Sequence, residues 1–300
     1  MVSECGAGSV RDGAERLGEV VEERAFGGVL DHVRRERRLD CSQYKESFLR
    51  RRLAVRMRAR SISTYQDYLA VLRSNPAELE ALLAALTINL SCFFRDKAAV
   101  ETLKDAVLAP LIARRTGNRR QSLTVWSAGC AAGEEPYSIA MILADLLGAS
   151  LAKWKLVIHA TDVDATVLAR ARQGVYRTVN FSPGGGPVPI HLQQAHCVAR
   201  YFIYDEDTFT IRPEIRRLVT FRQHDITTAS PLPRYDLVLC RNVLIYFARE
   251  HQEGIVRHLL DHLEPGGYLM LGMAEMLPLA LSSRVEPVDG RLRIYRKMNQ

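Results

Sequence analysis

From about Val20 to Arg95 the apolar positions recur at three- and four-residue steps, and no alternating run interrupts them. The segments "GGVLDHVRRERRLD", "SFLRRRLAVRMRAR" and "STYQDYLAVLRSNPAELEALLAAL" therefore predict helices. Ser63 or Thr64 is placed to cap the helix carrying Tyr65, Tyr68, Leu69 and Leu72, and Asn75-Pro76 ends it and opens the next. The expected organisation is a loose tail over residues 1–19, rich in charge and glycine, followed by an all-helical domain over 20–95.

Beyond "PLIARRTGNRRQS", which reads as a polar, basic connector around 110–122, the period changes. Short β-rich runs, "LTVWSAG", "KLVIHATDVD", "RLVTFRQHD", "YDLVLCRN", "GYLMLGMAE" and "RLRIYRK", alternate with the helical stretches "PYSIAMILADLLG", "ATVLARARQG" and "FAREHQEGIVRHLLDHL". That alternation predicts an α/β domain over 96–300 with a doubly wound, mainly parallel sheet. Around 177–215 the pattern breaks into "SPGGGPVP" and the pieces "YFIY" and "TFTIR" about the turn-prone "DED", which predict a small antiparallel β-subdomain inserted in the sheet domain.

Composition narrows the class. Hydrophobic residues at 47% and charged residues at 25% are those of a globular chain. No stretch approaches the roughly 20 apolar residues of a membrane span; the best candidate, Ile139 to Leu147, contains Asp145. The first eighteen residues lack a signal-peptide core, so a cytoplasmic, not membrane-integral protein is expected. The six cysteines show no C-x-x-C pairing, and the spacing of His191, His196 and Cys197 is irregular, so no metal site is expected. A net charge of +7 points to an acidic partner, leaving nucleic acid, an anionic membrane face and an acidic protein surface open.

Ligands of open parallel sheets sit outside the carboxyl ends of the strands. Those ends are Gly129 to Glu135, Asp162, Asp225, Arg241 to Val243, and Met273 to Glu275, and four of the five carry an acid. Asp162 is placed to accept from two ribose hydroxyls; the alternative is that Asp162 and Asp164 simply cap the following helix. Glycine turns between strand and helix usually cradle phosphate, but here Glu134 and Glu135 stand at the helix mouth. One carboxylate about 5 Å from a phosphate charge costs roughly 3 kcal/mol at an effective dielectric of about 20. A helix terminus returns only about 0.3 to 2 kcal/mol. The spacing Gly129-x-x-x-Gly133 also departs from the dinucleotide fingerprint. A cationic nucleoside such as S-adenosylmethionine, with an ammonium, a sulfonium and no phosphate, suits these acids better. Asp225 is suited to the adenine amine, with Ile226 packed on the ring.

The stretches "LTINLSCFFRD", "VWSAGCAAGEEPYSIAM", "HATDVDATVLARARQGVY", "YDLVLCRNVLIYF" and "LEPGGYLMLG" together resemble the CheR-type methyltransferases, which use S-adenosylmethionine to methylate glutamates of bacterial chemotaxis receptors. The resemblance implies a class I S-adenosylmethionine methyltransferase fold. It implies that Asn89, Ser91 and Arg95 approach the methionine part of the cofactor, with Glu135 on its amino group and Gly129 in the turn. It further implies Asp162 on the ribose, Asp225 and Ile226 flanking the adenine, and Asn242 and Val243 near the transferred methyl. The family commonly has Thr at Ser91 and often Asn at Asp225. In this reading Arg95 and Tyr246 orient the incoming carboxylate. A glutamate, with an ordinary pKa near 4.3, attacks without a general base, so the absence of a His-carboxylate dyad is expected.

The arginines of "FLRRRLAVRMRAR", Arg50, Arg51, Arg52, Arg56 and Arg58, then offer a face to the acidic helical region of a receptor, and the inserted hairpin offers a sheet edge to a receptor tail. Two rivals are an RNA methyltransferase and a non-catalytic cofactor-binding adaptor. The first lacks an N-P-P-Y turn at Cys240 to Val243 and any aromatic platform among the arginines, so nucleic acid is not the expected partner.

Overall fold

The computed structural model describes residues 7–37, 39–116, 121–177, 200–205, 208–228 and 231–299, with side chains from residue 18 onward. The chain forms two compact units, residues 1–88 and 89–300. The division thus falls after Ile88 rather than after Arg95, because the "NLSCFFRD" segment packs with the sheet domain.

In the first unit α1 spans Ala7–Arg37, α2 Glu46–Ala59, α3 Tyr65–Ser74 and α4 Pro76–Leu86. Residues 7–19, expected as loose tail, continue α1; their glycines obscured a run otherwise rich in good helix formers. Thr64 caps α3 by accepting from the Asp67 N–H at 3.1 Å. Asn75 both ends α3 and caps α4, accepting from the Glu78 N–H at 3.1 Å, with Pro76 in the first turn. The core joins Val29, Val33, Leu53, Tyr68, Leu72 and Leu82, each at most 2% exposed.

Within that core lies a fully buried carboxylate, Glu78. It accepts from Arg56 Nε (3.0 Å) and Nη2 (2.7 Å), from Arg60 Nε (2.6 Å) and from the Tyr68 hydroxyl (2.8 Å). The arginine row expected to face a partner is therefore divided. Arg56 serves Glu78, while Arg50 pairs with Glu46 and Glu23 and lies 4.1 Å from the centre of the Phe26 ring. Arg52 lies over Phe48, and only Arg51 and Arg58 of the five are exposed.

The second unit begins with α5 (Lys97–Thr102), which runs through a π-helical turn into α6 (Ala109–Arg115). The expected connector is thus helical as far as Arg115, whose guanidinium donates to both oxygens of buried Asp236 at 2.9 and 2.5 Å. One arginine of this basic run thus meets an internal acid. The elements that follow are β1 (Ser122–Ala128), α7 (Glu134–Leu147), β2 (Lys155–Asp162), α8 (Ala165–Gln173), β3 (Val175–Arg177), β4 (Phe202–Asp205), β5 (Thr208–Ile211), α9 (Pro213–Arg216), β6 (Val219–Gln223), β7 (Tyr235–Cys240), α10 (Arg249–Asp261), β8 (Leu263–Leu271), β9 (Val285–Asp289) and β10 (Ile294–Lys297).

Among the described residues the main sheet has seven strands in the order β6-β2-β1-β7-β8-β10-β9. The first five are parallel, and β10 runs antiparallel to both β8 and β9. This is the doubly wound class I arrangement. Alternate residues of β1 feed its two faces: Leu123 and Val125 join a core with Ile139 and Leu143 of α7, whereas Trp126 meets His258 and His262 at α10. The strand β9 went unpredicted because Pro287 and the acids Glu286 and Asp289 break its pattern. The "LEPGG" stretch lies inside β8, where Gly266 takes a φ of +70° and the register slips.

The inserted hairpin is present as β4 and β5, joined by β3 in a three-stranded antiparallel sheet ordered β3-β5-β4. The "SPGGGPVP" run and the His191, His196 and Cys197 cluster lie outside the described residues.

Candidate functional site

The turn after β1 is anchored by β2. Gly129 N–H and Cys130 N–H both donate to the Thr161 carbonyl, at 2.8 and 2.9 Å, and Ala131 N–H donates to Asp162 Oδ2 at 2.9 Å. Gly133 N–H closes the turn on the Cys130 carbonyl at 3.0 Å. A phosphate-binding loop leaves such amides aimed at the ligand. Here the neighbouring strand takes three of them, so a pyrophosphate would meet carboxylates at the turn.

Three positive φ values build this turn, at Gly129 (+75°), Ala131 (+48°) and Gly133 (+95°). At Gly129 an added Cβ would overlap Val243 Cγ2, so the glycine is what lets the loop after β7 close on the turn after β1.

Asp162 is 7% exposed. Its Oδ1 accepts from the Asp164 N–H at 3.0 Å, and burial raises its pKa despite these backbone donors. The capping role falls to Asp164, which accepts from Thr166 N–H and Val167 N–H at the start of α8, while Asp162 ties the turn through Ala131 N–H and Asp164 N–H. Asn89 Nδ2 donates to Asp164 Oδ2 at 3.0 Å, which fixes the "NLSCFFRD" segment beside the end of β2. The same segment is pinned to α7 by Phe94 N–H on Ser138 Oγ (2.9 Å).

At the mouth of α7, Glu134 is 1% exposed. Glu135 accepts from Ser127 Oγ at 2.7 Å and pairs with Arg241 Nη1 at 3.3 Å. The Arg241 side chain, 4% exposed, also donates to Asp96 Oδ2 (2.7 Å) and to the Arg95 carbonyl (2.9 Å). Part of the acidity assigned from sequence to a cationic ligand is therefore balanced from within, by one arginine between two carboxylates.

Asn242 follows at a φ of +60°, with its Oδ1 buried and without a hydrogen-bond partner among the described residues. The peptide N–H groups of Val243 and Leu244 both donate to Glu275 Oε1 at 2.7 Å, and Gly272 N–H donates to Oε2 at 2.5 Å. Glu275 is 3% exposed, and burial raises its pKa.

Of the sequence-predicted residues, Asn89, Gly129, Glu135, Asp162, Asn242 and Val243 are linked through these contacts. Asp225 joins through the neighbouring His224 N–H, which donates to the Asp162 carbonyl at 3.0 Å. One Asp225 oxygen is committed to its own turn, accepting from Thr227 N–H (2.9 Å) and Oγ1 (2.8 Å); Ile226 is buried beside it. Arg95 sits in the same segment as Asn89 and donates to the Leu90 carbonyl at 3.1 Å. Half-buried Tyr246 lies in a 3-10 turn whose N–H bonds the Val243 carbonyl at 3.2 Å. Ser91 is half-buried in the same segment as Asn89. Sequence reasoning assigned no role to Arg241, Asp96, Ser127 or Glu275. A charged residue directly after the wholly buried strand β7 was the available signal for Arg241.

S-adenosylmethionine fits these residues: three amides of the turn are already bonded to β2, carboxylates stand beside it, and Asn242 presents a buried acceptor.

Comparison with known proteins agrees with this chemistry. Residues 89–293 match the model of the CheR methyltransferase SAM-binding domain, and residues 24–87 that of the CheR methyltransferase all-alpha domain. The chain is 32% identical to a chemotaxis protein methyltransferase of Listeria monocytogenes over 82% of this chain and 87% of that one. With the chemotaxis protein methyltransferase of Salmonella typhimurium it is 35% identical, over 78% and 77% of the two chains. An uncharacterized 104.1 kDa protein of Rhodobacter capsulatus is 34% identical over 95% of this chain, which spans 28% of that longer protein. With both domain models matched in order, and their boundary where the two compact units divide, this chain belongs to the CheR methyltransferase family.

Proposed function

We propose that the protein transfers a methyl group from S-adenosylmethionine to glutamate side chains of chemotaxis receptors in the cytoplasm, giving glutamate methyl esters and S-adenosylhomocysteine. The observation that carries this reading is the glycine turn whose amides are already bonded to β2 while Asp162, Glu134 and Glu135 surround it. The cofactor supplies a methyl group made electrophilic by its sulfonium. In this reading Asp162 accepts from the ribose, Asp225 and Ile226 flank the adenine, and Glu135 and Asn89 with Ser91 hold the methionine end. Arg95 and Tyr246 orient the incoming carboxylate, which is ionised at neutral pH and needs positioning and exclusion of water more than a base. Val243, packed over Gly129, and the Asn242 side chain hold the donor end in place.

For the partner, exposed Arg51 and Arg58 of α2 are the arginines suited to an acidic receptor helix. The strand β4, at one edge of the small sheet with Ile203 47% and Tyr204 63% exposed, suits strand addition by a receptor tail. The test is incubation with methyl-labelled donor and receptor-rich membranes. Label released as methanol by mild alkali supports the assignment; label in RNA, or tight cofactor binding without transfer, overturns it.

A further inference from the structure

We infer that Glu275 is a positioning residue for the methyl donor: its carboxylate clamps the loop after β7, and so aims the Asn242 amide oxygen at a donor N–H of the bound cofactor. The inference rests on the functional reading above and extends it to a residue with no assigned role.

Asn242 has a left-handed backbone, which Asn tolerates better than most residues but which still needs support from its surroundings. The support is specific. One oxygen of Glu275 takes the N–H groups of the next two residues, Val243 and Leu244, at 2.7 Å each. The other oxygen takes Gly272 N–H, closing the turn that holds the carboxylate itself. The fit leaves no slack, since a Cβ at Gly272 would stand 2.7 Å from Asn242 N and 3.2 Å from Asn242 Nδ2.

Burying a charged group at 3% exposure is costly unless several donors converge on it, as these three do. The product of this clamp is a buried acceptor, Asn242 Oδ1, that no group among the described residues satisfies. Buried polar atoms are nearly always bonded, so an unpartnered one at a strand end of this sheet is suited to a ligand.

The experiment is a double-mutant cycle on S-adenosylhomocysteine affinity by calorimetry, with Glu275→Gln and Asn242→Gly. Glycine removes the amide without backbone strain, and glutamine sets an amide N–H₂ against at least one of the three donors. Each single change should weaken binding about tenfold, the worth of one buried hydrogen bond, and the double change also about tenfold. Hydrogen exchange at Val243 and Leu244 should accelerate in Glu275→Gln and stay slow in Asn242→Gly. A double variant weakened about a hundredfold would show independent action and overturn the inference, as would unchanged binding in Glu275→Gln. If Glu275→Gln does not fold, Glu275→Asp, too short to reach both amides, runs the same cycle. Failure of the wild type to bind S-adenosylhomocysteine sinks the functional reading and this inference together, whereas additivity in an active enzyme sinks this inference alone.

Discussion

Replacing Gly129 with Ala tests the tightest contact of the site. The backbone there has a φ of +75°, and an alanine in the left-handed region costs about 1–2 kcal/mol. The new methyl would overlap Val243 Cγ2 and stand 3.4 Å from Cγ1 and 3.5 Å from Cβ, with the loop behind it held by Glu275. Forcing a methyl into such packing costs about 1–3 kcal/mol, so the total is about 2–5 kcal/mol. Adding Val243→Ala removes the overlapping atoms and should return the steric share, leaving the backbone share in place. Urea unfolding followed through Trp126 on β1 would read the stability of this unit directly. In the same proteins, S-adenosylhomocysteine affinity should fall in Gly129→Ala and recover in part in the double variant. A Gly129→Ala protein within about 0.5 kcal/mol of wild type, or one that Val243→Ala fails to improve, would refute the packing argument.

Arg95→Ala should lower kcat for receptor methylation by about 10²–10³, the usual worth of one aimed donor, while the affinity for S-adenosylhomocysteine changes less than about threefold. Equal losses would move Arg95 into the cofactor site. Glu78→Ala leaves two guanidinium groups without their shared buried partner; because Arg60 is 39% and Arg56 24% exposed and both can rehydrate, the cost should be about 2–4 kcal/mol in a urea melt by far-UV dichroism. A loss under about 1 kcal/mol would show that the charge is not confined there. His258 and His224 have pKa values lowered by burial, beside Trp126, His262 and the acids Asp261 and Asp225. The unfolded chain gains protons as pH falls through about 6.5 while these folded histidines do not, so acidification is destabilising, by at most about 1.4 kcal/mol per pH unit for each. His258→Gln should therefore lose less Tm than wild type between pH 7.5 and 5.5. Asp162 and Glu275, shifted upward, act in the opposite sense but equally in both proteins; identical slopes would refute the assignment.

What the sequence revealed followed its periodicities. Residues with one dominant local cause, such as the Asn75-Pro76 break, the apolar strands β1 and β7, and the acid ending β2, stand where their pattern places them. The residues that escaped prediction owe their roles to distant partners. Arg241 meets Asp96 and Glu135 across more than a hundred residues, and Arg56 turns inward because Glu78 is there to receive it. Nothing in "FLRRRLAVRMRAR" distinguishes the arginine that will serve an internal carboxylate from those that stay in water. The strand β9 escaped for a local reason, a proline between two acids in a strand at the sheet edge.

The turn after β1 completes its hydrogen bonding with β2, so a guest has no loop left to fold on arrival. Association should then be limited by encounter rather than by rearrangement, and its heat-capacity change should reflect the buried nucleoside surface alone. A recognition element that is finished in advance can also be read in either direction, admitting the methylated cofactor and releasing the spent one through the same rigid frame.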